Sequence, residues 1–122
     1  MNPTRLARLA GALLAVALGV TGCASGSGGS GVGPASVVVT ITEEDGAIDP
    51  SGDTVKVEQG QAITLLVSSD AEDEIHVHSD PEQEFEVKAA DDQEFTFSID
   101  SPGTYEVESH ELEVVIMKLQ VS

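Results

Sequence analysis

The sequence predicts an all-β fold, an antiparallel-rich β-sandwich of seven to eight strands with Greek-key connections, between residues 36 and 122. Three observations support this prediction. Short apolar runs with period-two alternation recur along this segment, clusters of Gly, Pro, Asp and Ser separate them, and no apolar spacing typical of a helix occurs. A series of short strands with regular turn signals is characteristic of sandwiches and small barrels.

Eight strands are predicted in chain order. They cover 37–42, 54–58, 62–68, 74–79, 84–88, 94–99, 104–109 and 113–121. The acidic segment 43–53, E-E-D-G-A-I-D-P-S-G-D, is predicted to be a loop because of its turn residues. The last strand is apolar on both sides, which indicates a central place in its sheet.

Alternation also predicts which side chains face the core, because successive strand residues point to opposite faces. The residues expected to be largely buried are Phe85, Phe95, Phe97, Tyr105, Val107, Val115, Met117 and Leu119. The residues expected on outward faces include Glu74, His76, His78, Glu106, Glu108 and His110.

Residues 1–22 have the features of a secretory signal peptide. Arg5 and Arg8 lie in a positive segment, and the uncharged apolar run 9–20 follows it. This run is too short for a membrane-spanning helix, which needs about 20 residues. The sequence V-T-G-C at 20–23 resembles the lipobox of bacterial lipoproteins, which implies a diacylglycerol on the Cys23 thiol and cleavage before that residue. An ordinary signal peptide with an incidental cysteine is the alternative.

Residues 23–35 are predicted to be the lipidated cysteine and a flexible Gly/Ser-rich tether, because this composition cannot form a core. Cys23 is the single cysteine, so an intramolecular disulfide is excluded. The expected location is the extracytoplasmic face of the cell membrane, with contact to the membrane through the lipid anchor.

The charge balance excludes several classes of partner. From Cys23 onward the chain has 22 acidic residues against three lysines, a net charge of −19. Such a surface repels phosphate backbones and anionic lipid, so no nucleic-acid binding is expected and the folded domain should stand away from the membrane. No arrangement of nucleophile and base and no phosphate-binding glycine loop has supporting context, so no enzyme activity is expected.

The stretch F-T-F-S-I-D-S-P-G-T-Y-E-V-E at 95–108 carries a family resemblance. Together with G-Q-A-I-T-L-L-V-S, E-I-H-V-H and V-I-M-K-L-Q-V, it resembles cupredoxin-like domains, and most closely the EfeO-type cupredoxin-like lipoproteins of bacteria. The resemblance covers residues 36–122 and implies a cupredoxin-like sandwich. The related lipoproteins carry an H-V-H run followed by Gly-Tyr-Asp, whereas this chain continues with Ser-Asp-Pro.

The resemblance also implies where a copper site would lie, and the chain departs from it there. In copper cupredoxins a cysteine, a histidine and a methionine follow the P-G-x-Y motif. The corresponding positions are Ser109, Leu112 and Met117, and the upstream histidine position falls near Glu74. A blue-copper centre needs a thiolate, and Cys23 lies outside the domain, so electron transfer by such a centre is not expected.

His76 and His78 are the main candidate metal ligands. Residues i and i+2 of a strand are about 6.6 Å apart on one face, and imidazole binds zinc and copper. Glu74 or Asp80 could complete such a site. The alternative is a pair of histidines on the solvated side of a strand, and both interpretations remain open.

His110, at the end of the penultimate strand, can join these ligands or can be an ordinary loop histidine. Met117 is expected to pack in the core. The carboxylate clusters at 43–45, 72–74 and 91–94 are expected to be solvated surface at turns, with weak calcium binding as the alternative.

Two functions therefore remain. One is a module that binds copper or zinc weakly outside the cytoplasm, through His76, His78 and His110. The other is a metal-free β-sandwich that binds a protein partner at the cell envelope.

Overall fold

The computed structural model describes residues 33–122, and these residues form nine β-strands and no helix. The strands are β1 (Val37–Glu44), β2 (Ala47–Asp49), β3 (Asp53–Val57), β4 (Ile63–Ser69), β5 (Asp73–Val77), β6 (Gln83–Val87), β7 (Gln93–Phe97), β8 (Gly103–Ser109) and β9 (Val114–Val121). The signal peptide predicted for 1–22, Cys23 and most of the tether predicted for 23–35 lie outside the described residues. Over 33–122, no helix is long and apolar enough to cross a membrane.

The strands form two sheets, which confirms the predicted all-β sandwich. One sheet has the order β2-β1-β4-β7 and the other the order β3-β9-β8-β5-β6. The β1–β4 and β3–β9 pairs are parallel, and the remaining neighbours are antiparallel. β9 lies between β3 and β8, as the apolar character of both its faces indicates. The structure has nine strands, where the sequence predicts seven to eight.

The additional strand comes from the segment 43–53, for which the sequence predicts a loop. β1 continues to Glu44, and β2 returns antiparallel to it after Asp45 and Gly46. These two residues have φ values of 51° and 73°, and positive φ at both central positions defines a type I′ hairpin turn, which favours Asp-Gly. β2 has three residues, so alternation is too short to reveal it.

The core lies between the two sheets and is built from the inward positions of their strands. Its buried apolar residues are Ile41, Val57, Ile63, Leu65, Val67, Ile75, Val77, Val87, Phe97, Ile99, Val107, Ile116, Met117, Leu119 and Val121. Of the aromatic residues expected to be buried, Phe97 is, whereas Phe85, Phe95 and Tyr105 are half-buried against the core. The ring centroids of Phe85 and Phe95 lie 5.2 Å apart, so these rings cover the core edge.

A β-bulge in β9 changes which residues of that strand face inward. Val107 of β8 pairs with Met117, whereas the next residue, Glu108, pairs with Val115, which leaves Ile116 as the extra residue. Ile116 and Met117 are consecutive and both fully buried, and Val115 is half-buried. Val115, which the sequence predicts to be largely buried, is therefore only half-buried, because simple alternation does not pass through a bulge.

The S-P-G-T-Y motif has a packing reason. The Tyr105 hydroxyl donates a hydrogen bond to the Ser101 carbonyl at 3.0 Å, which folds the ring back over the turn before β8. A Cβ atom at Gly103 would lie 3.2 Å from the Tyr105 hydroxyl oxygen and 3.3 Å from the ring carbon that carries it. Glycine at this position therefore allows the tyrosine to close the turn.

Candidate metal centre

Histidine and glutamate side chains are concentrated on the outer face of the five-stranded sheet. β5 alternates between buried and partly exposed residues, with Ile75 and Val77 inward and Glu74 and His76 outward. β5 lies between β6 and β8, so its outward side chains have neighbours on both sides. The residues opposite His76 are glutamates on both strands, Glu84 on β6 and Glu108 on β8.

Glu74, His76 and His110 form a group whose potential ligand atoms all lie within 4.8 Å of one another. His110 joins the group because its backbone N–H donates to the Glu74 carbonyl at 2.9 Å, which aligns the end of β8 with β5. The rings of His76 and His110 are stacked, with centroids 5.4 Å apart and 19° between their planes. His76 Nε2 forms a hydrogen bond with Glu74 Oε1.

Two imidazoles and one carboxylate are a ligand set suited to zinc or copper. Ligand atoms around a tetrahedral ion with bonds of about 2.0–2.2 Å are separated by about 3.4 Å. The observed separations of up to 4.8 Å are therefore within reach of small side-chain rotations. Glu74 and His76 lie on β5, and His110 directly follows β8, so the backbone hydrogen bond from His110 to Glu74 sets their spacing before any ion binds.

His78 lies next to this group but is directed elsewhere. Its Nε2 atom is 2.8 Å from Glu108 Oε2, and its Nδ1 atom is 3.4 Å from Glu82 Oε1. The ring centroids of His76 and His78 are 6.3 Å apart, in agreement with the spacing expected for His-x-His on one face. His78 is also more exposed than His76, 45% against 20% of the side chain.

The glutamates around His76 raise its pKa above the usual value of 6.5. The hydrogen bond that the His76 ring donates to Glu74 is the largest cause, burial acts in the opposite direction, and the charges of Glu74, Glu84 and Glu82 add to the increase. The hydrogen bond and the three glutamate charges favour the protonated ring. A proton therefore competes with a metal ion at His76 up to a higher pH than at a free imidazole.

The structure thus places the sequence-predicted ligands in two different settings. His76 and His110 lie together with Glu74, one of the two carboxylates proposed to complete a site, whereas His78 contacts Glu82 and Glu108. Asp80, the other proposed carboxylate, is exposed in the turn between β5 and β6. Glu82 was not singled out from the sequence, because its proximity to both histidine rings depends on how this turn folds back.

The acidic clusters differ from the expectation of a solvated surface at two positions. Glu43 is 3% exposed and Asp73 is 6% exposed, whereas Asp91, Asp92 and Glu94 are exposed as expected. The prediction is wrong at Glu43 and Asp73 because both occupy inward positions of strands, near the end of β1 and at the start of β5. Alternation extended into these acidic segments would have identified them.

At the positions where the cupredoxin resemblance implies copper ligands, the side chains are engaged in hydrogen bonds or packed in the core. Ser109 is buried, and its Oγ atom accepts a hydrogen bond from the Leu112 N–H at 3.1 Å. Near the implied upstream histidine position, which falls at about Glu74, Asp73 Oδ1 accepts hydrogen bonds from the N–H groups of Glu74 at 2.7 Å and Glu111 at 2.9 Å. Met117 is fully buried, as the sequence predicts for a core residue.

Comparison with known proteins identifies the fold. No protein-family model and no curated protein matches this chain. A Cu(I) form of an amicyanin mutant matches with a TM-score of 0.53 and 16% sequence identity, covering 71% of this chain and 82% of that one. An oxidised amicyanin mutant matches with a TM-score of 0.53, 15% identity and coverage of 70% and 81%. A purple cupredoxin from Nitrosopumilus maritimus matches with a TM-score of 0.50, 14% identity and coverage of 70% and 99%.

Identities this low establish the fold and nothing finer. The chain has a cupredoxin-like β-sandwich, as the F-T-F…P-G-T-Y stretch implies. On this fold it carries a His/Glu/His group that could hold a metal ion.

Proposed function

We propose that this chain is a lipid-anchored, extracytoplasmic module that binds Cu²⁺ or Zn²⁺ through Glu74, His76 and His110. The observation that carries the proposal is the convergence of these three side chains, with all potential ligand atoms within 4.8 Å. The resemblance of the sequence to EfeO-type cupredoxin-like lipoproteins supports the lipid anchor in this proposal. The ion would be stored, delivered or sensed.

The surroundings of the group favour a cation. Beside Glu74 lies an open depression of about 490 Å³, lined mainly by carboxylates from 72–74, Glu86 and Glu111. The net charge of −19 from Cys23 onward raises the local concentration of cations. Cu²⁺ should bind more tightly than Zn²⁺, following the usual order of divalent affinities. Affinity should be modest because the group offers two imidazoles, one carboxylate and no thiolate.

The proposed site differs from a blue-copper centre. The position expected for the copper cysteine is occupied by Ser109, whose hydroxyl already accepts a hydrogen bond from Leu112. A hydroxyl cannot supply the strong copper–thiolate bond that gives such centres their colour and potential. We therefore expect a copper-loaded protein without an intense blue charge-transfer band.

The metal proposal is tested by calorimetry with Cu²⁺ and with Zn²⁺ on the mature chain in detergent. His76→Ala/His110→Ala should lower the affinity at least about 100-fold, since loss of an outer-shell partner alone costs about 10–100-fold. His78→Ala is the matched control, because it removes an exposed imidazole of the same face, and it should change the affinity little. Equal affinity in the wild type and the double variant would show that the ion sits on surface carboxylates.

The anchor is supported by the apolar run 9–20, the preceding arginines and the V-T-G-C sequence. Several acyl chains on one residue give stable attachment, whereas a single chain gives marginal binding. Cys23→Ala should leave the protein unprocessed or release it from membranes, as measured by detergent phase partitioning. A processed Cys23→Ala protein that partitions like the wild type would contradict the lipid anchor.

A further inference from the structure

The polar interior of the domain is confined to one end of the sandwich. Among the described residues, the buried polar and charged ones are Glu43, Ser69, Asp73 and Ser109. Each lies at or next to the end of its strand, and each takes an inward position. Two of the four are carboxylic acids, and they come from different sheets.

Glu43 and Asp73 are both buried at this end, one from each sheet, and they interact as like charges and through a side-chain hydrogen bond that raises the pKa of Glu43. Glu43 Oε2 also accepts a hydrogen bond from the Ser69 hydroxyl at 3.1 Å. Asp73 Oδ1 is fully engaged by the backbone N–H groups of Glu74 and Glu111. The remaining oxygen, Asp73 Oδ2, is buried and has no donor.

Two ionised carboxylates in this position would be unstable. Burial removes the water that would stabilise each charge, and the like charges repel at close range. The charged groups that act on Glu43 are Asp73 from β5 and Asp70 from the segment after β4, both acidic. A single proton between the two carboxyl groups removes one charge and provides the missing donor for Asp73 Oδ2.

We propose that Glu43 is protonated and donates its proton to Asp73 Oδ2, forming an internal tie between the two sheets. Asp73 is the acceptor because two backbone N–H groups already stabilise its charge. Through its Oδ1 atom, Asp73 also holds the backbone of Glu111, next to His110. The tie therefore links β1, β5 and the loop after β8. It is independent of whether the domain binds a metal ion.

The tie should depend on pH in a defined direction. Burial is the largest cause that raises the pKa of Glu43 above its usual value of 4.5, the Ser69 hydrogen bond opposes it, and Asp73 and Asp70 add to the increase. A raised folded-state pKa means that the folded protein binds this proton more tightly than the unfolded chain does. The stabilisation is fully present below pH 4.5 and is lost as the pH rises through the folded-state pKa.

The test is thermal unfolding of the full chain in detergent as a function of pH, with a chelator present. Between pH 4.5 and neutrality, Tm of the wild type should fall relative to that of Glu43→Gln, whose amide replaces the protonated carboxyl. The expected difference is about 4–8 °C if the tie contributes as much as a typical net hydrogen bond. Glu44→Gln, the exposed neighbour, is the matched control and should keep the wild-type dependence. Equal pH dependence in all three proteins would overturn the proposal.

Two further measurements separate the proposed shared proton from other causes of a pH-dependent Tm. Carbon-13 NMR of the glutamate carboxyls does not depend on stability. In the wild type it should show one group that titrates above pH 4.5, and the signal of this group should be missing in Glu43→Gln. Titration of every glutamate at or below 4.5 would overturn the proposal. Unfolding is then repeated with Ca²⁺ in place of the chelator. If Ca²⁺ raises Tm of the wild type and not of Glu43→Gln, a cation and not a proton bridges the pair, and the proposal is wrong.

Discussion

The outer faces of the two sheets differ in chemistry although the same alternation builds them. The four-stranded sheet exposes mainly neutral residues such as Thr40, Thr64 and Thr96, and the hydroxyls of Thr64 and Thr96 share a cross-strand hydrogen bond at 3.0 Å. The five-stranded sheet carries histidines and glutamates, with Glu74 directly opposite Glu86. Facing hydroxyls stabilise a sheet, whereas like charges directly opposite each other destabilise it.

This difference concerns the outward positions of the strands, which packing of the core constrains less than the inward positions. Folding favours apolar residues at most inward positions of both sheets, but it leaves their outward residues largely unconstrained. The outward residues of the four-stranded sheet form favourable cross-strand pairs such as Thr64 and Thr96. The acidic face instead collects carboxylates around His76, and a nearby positive charge, either the protonated ring or a bound cation, offsets their mutual repulsion. This difference supports the proposed metal site on the five-stranded sheet.

The largest expected effect concerns Glu74, the residue that most clearly separates the two faces. Glu74→Gln removes the charge of a proposed ligand, which is also the charged acceptor of the hydrogen bond that most raises the pKa of His76. Calorimetry at neutral pH should show a loss of Cu²⁺ or Zn²⁺ affinity of about 10–100-fold or more. Thr64→Ala on the opposite face is the control and should bind like the wild type. Unchanged affinity in Glu74→Gln would remove this carboxylate from the site.

The same pair of variants tests the pH dependence of the site. Because the pKa of His76 is raised above 6.5, metal binding by the wild type should weaken as the pH falls through that higher value. In the metal-free protein, the NMR titration midpoint of the His76 ring should lie above 6.5, decrease in Glu74→Gln and stay the same in Thr64→Ala. A midpoint that does not respond to Glu74→Gln would contradict the assigned cause.

The smallest expected effect is on stability without metal. Glu86→Gln should stabilise the domain by about 0.2–1 kcal/mol, because it removes the repulsion across the Glu74–Glu86 pair. Thr96→Ala should destabilise it by a similar amount, because the hydrogen bond to Thr64 is lost. Denaturant unfolding in a chelator measures both changes. Destabilisation by Glu86→Gln would mean that the two faces do not differ as proposed.

Part of the site could be predicted from the sequence. The same-face geometry of His76 and His78 follows from their spacing alone, and Glu74 follows from the same alternation. The sequence predicts His110 as a candidate third ligand, but which residues it approaches depends on the register of β8 against β5, which places its N–H on the Glu74 carbonyl. The buried state of Glu43 and Asp73 was missed because acidic clusters next to turns are usually exposed.

The sequence by itself determined the features that local periodicity encodes: an all-β fold, most of the strands, the majority of core residues, the cupredoxin-like stretch and the acidic charge. These features depend on residues near one another in the chain, so they can be predicted from the sequence alone. The tertiary structure alone decided the bulge at Ile116, the β2 hairpin strand, the partners of each histidine and the contact between Glu43 and Asp73. Each of these depends on which strands pair and in which register, and contacts between residues far apart in the chain set that register.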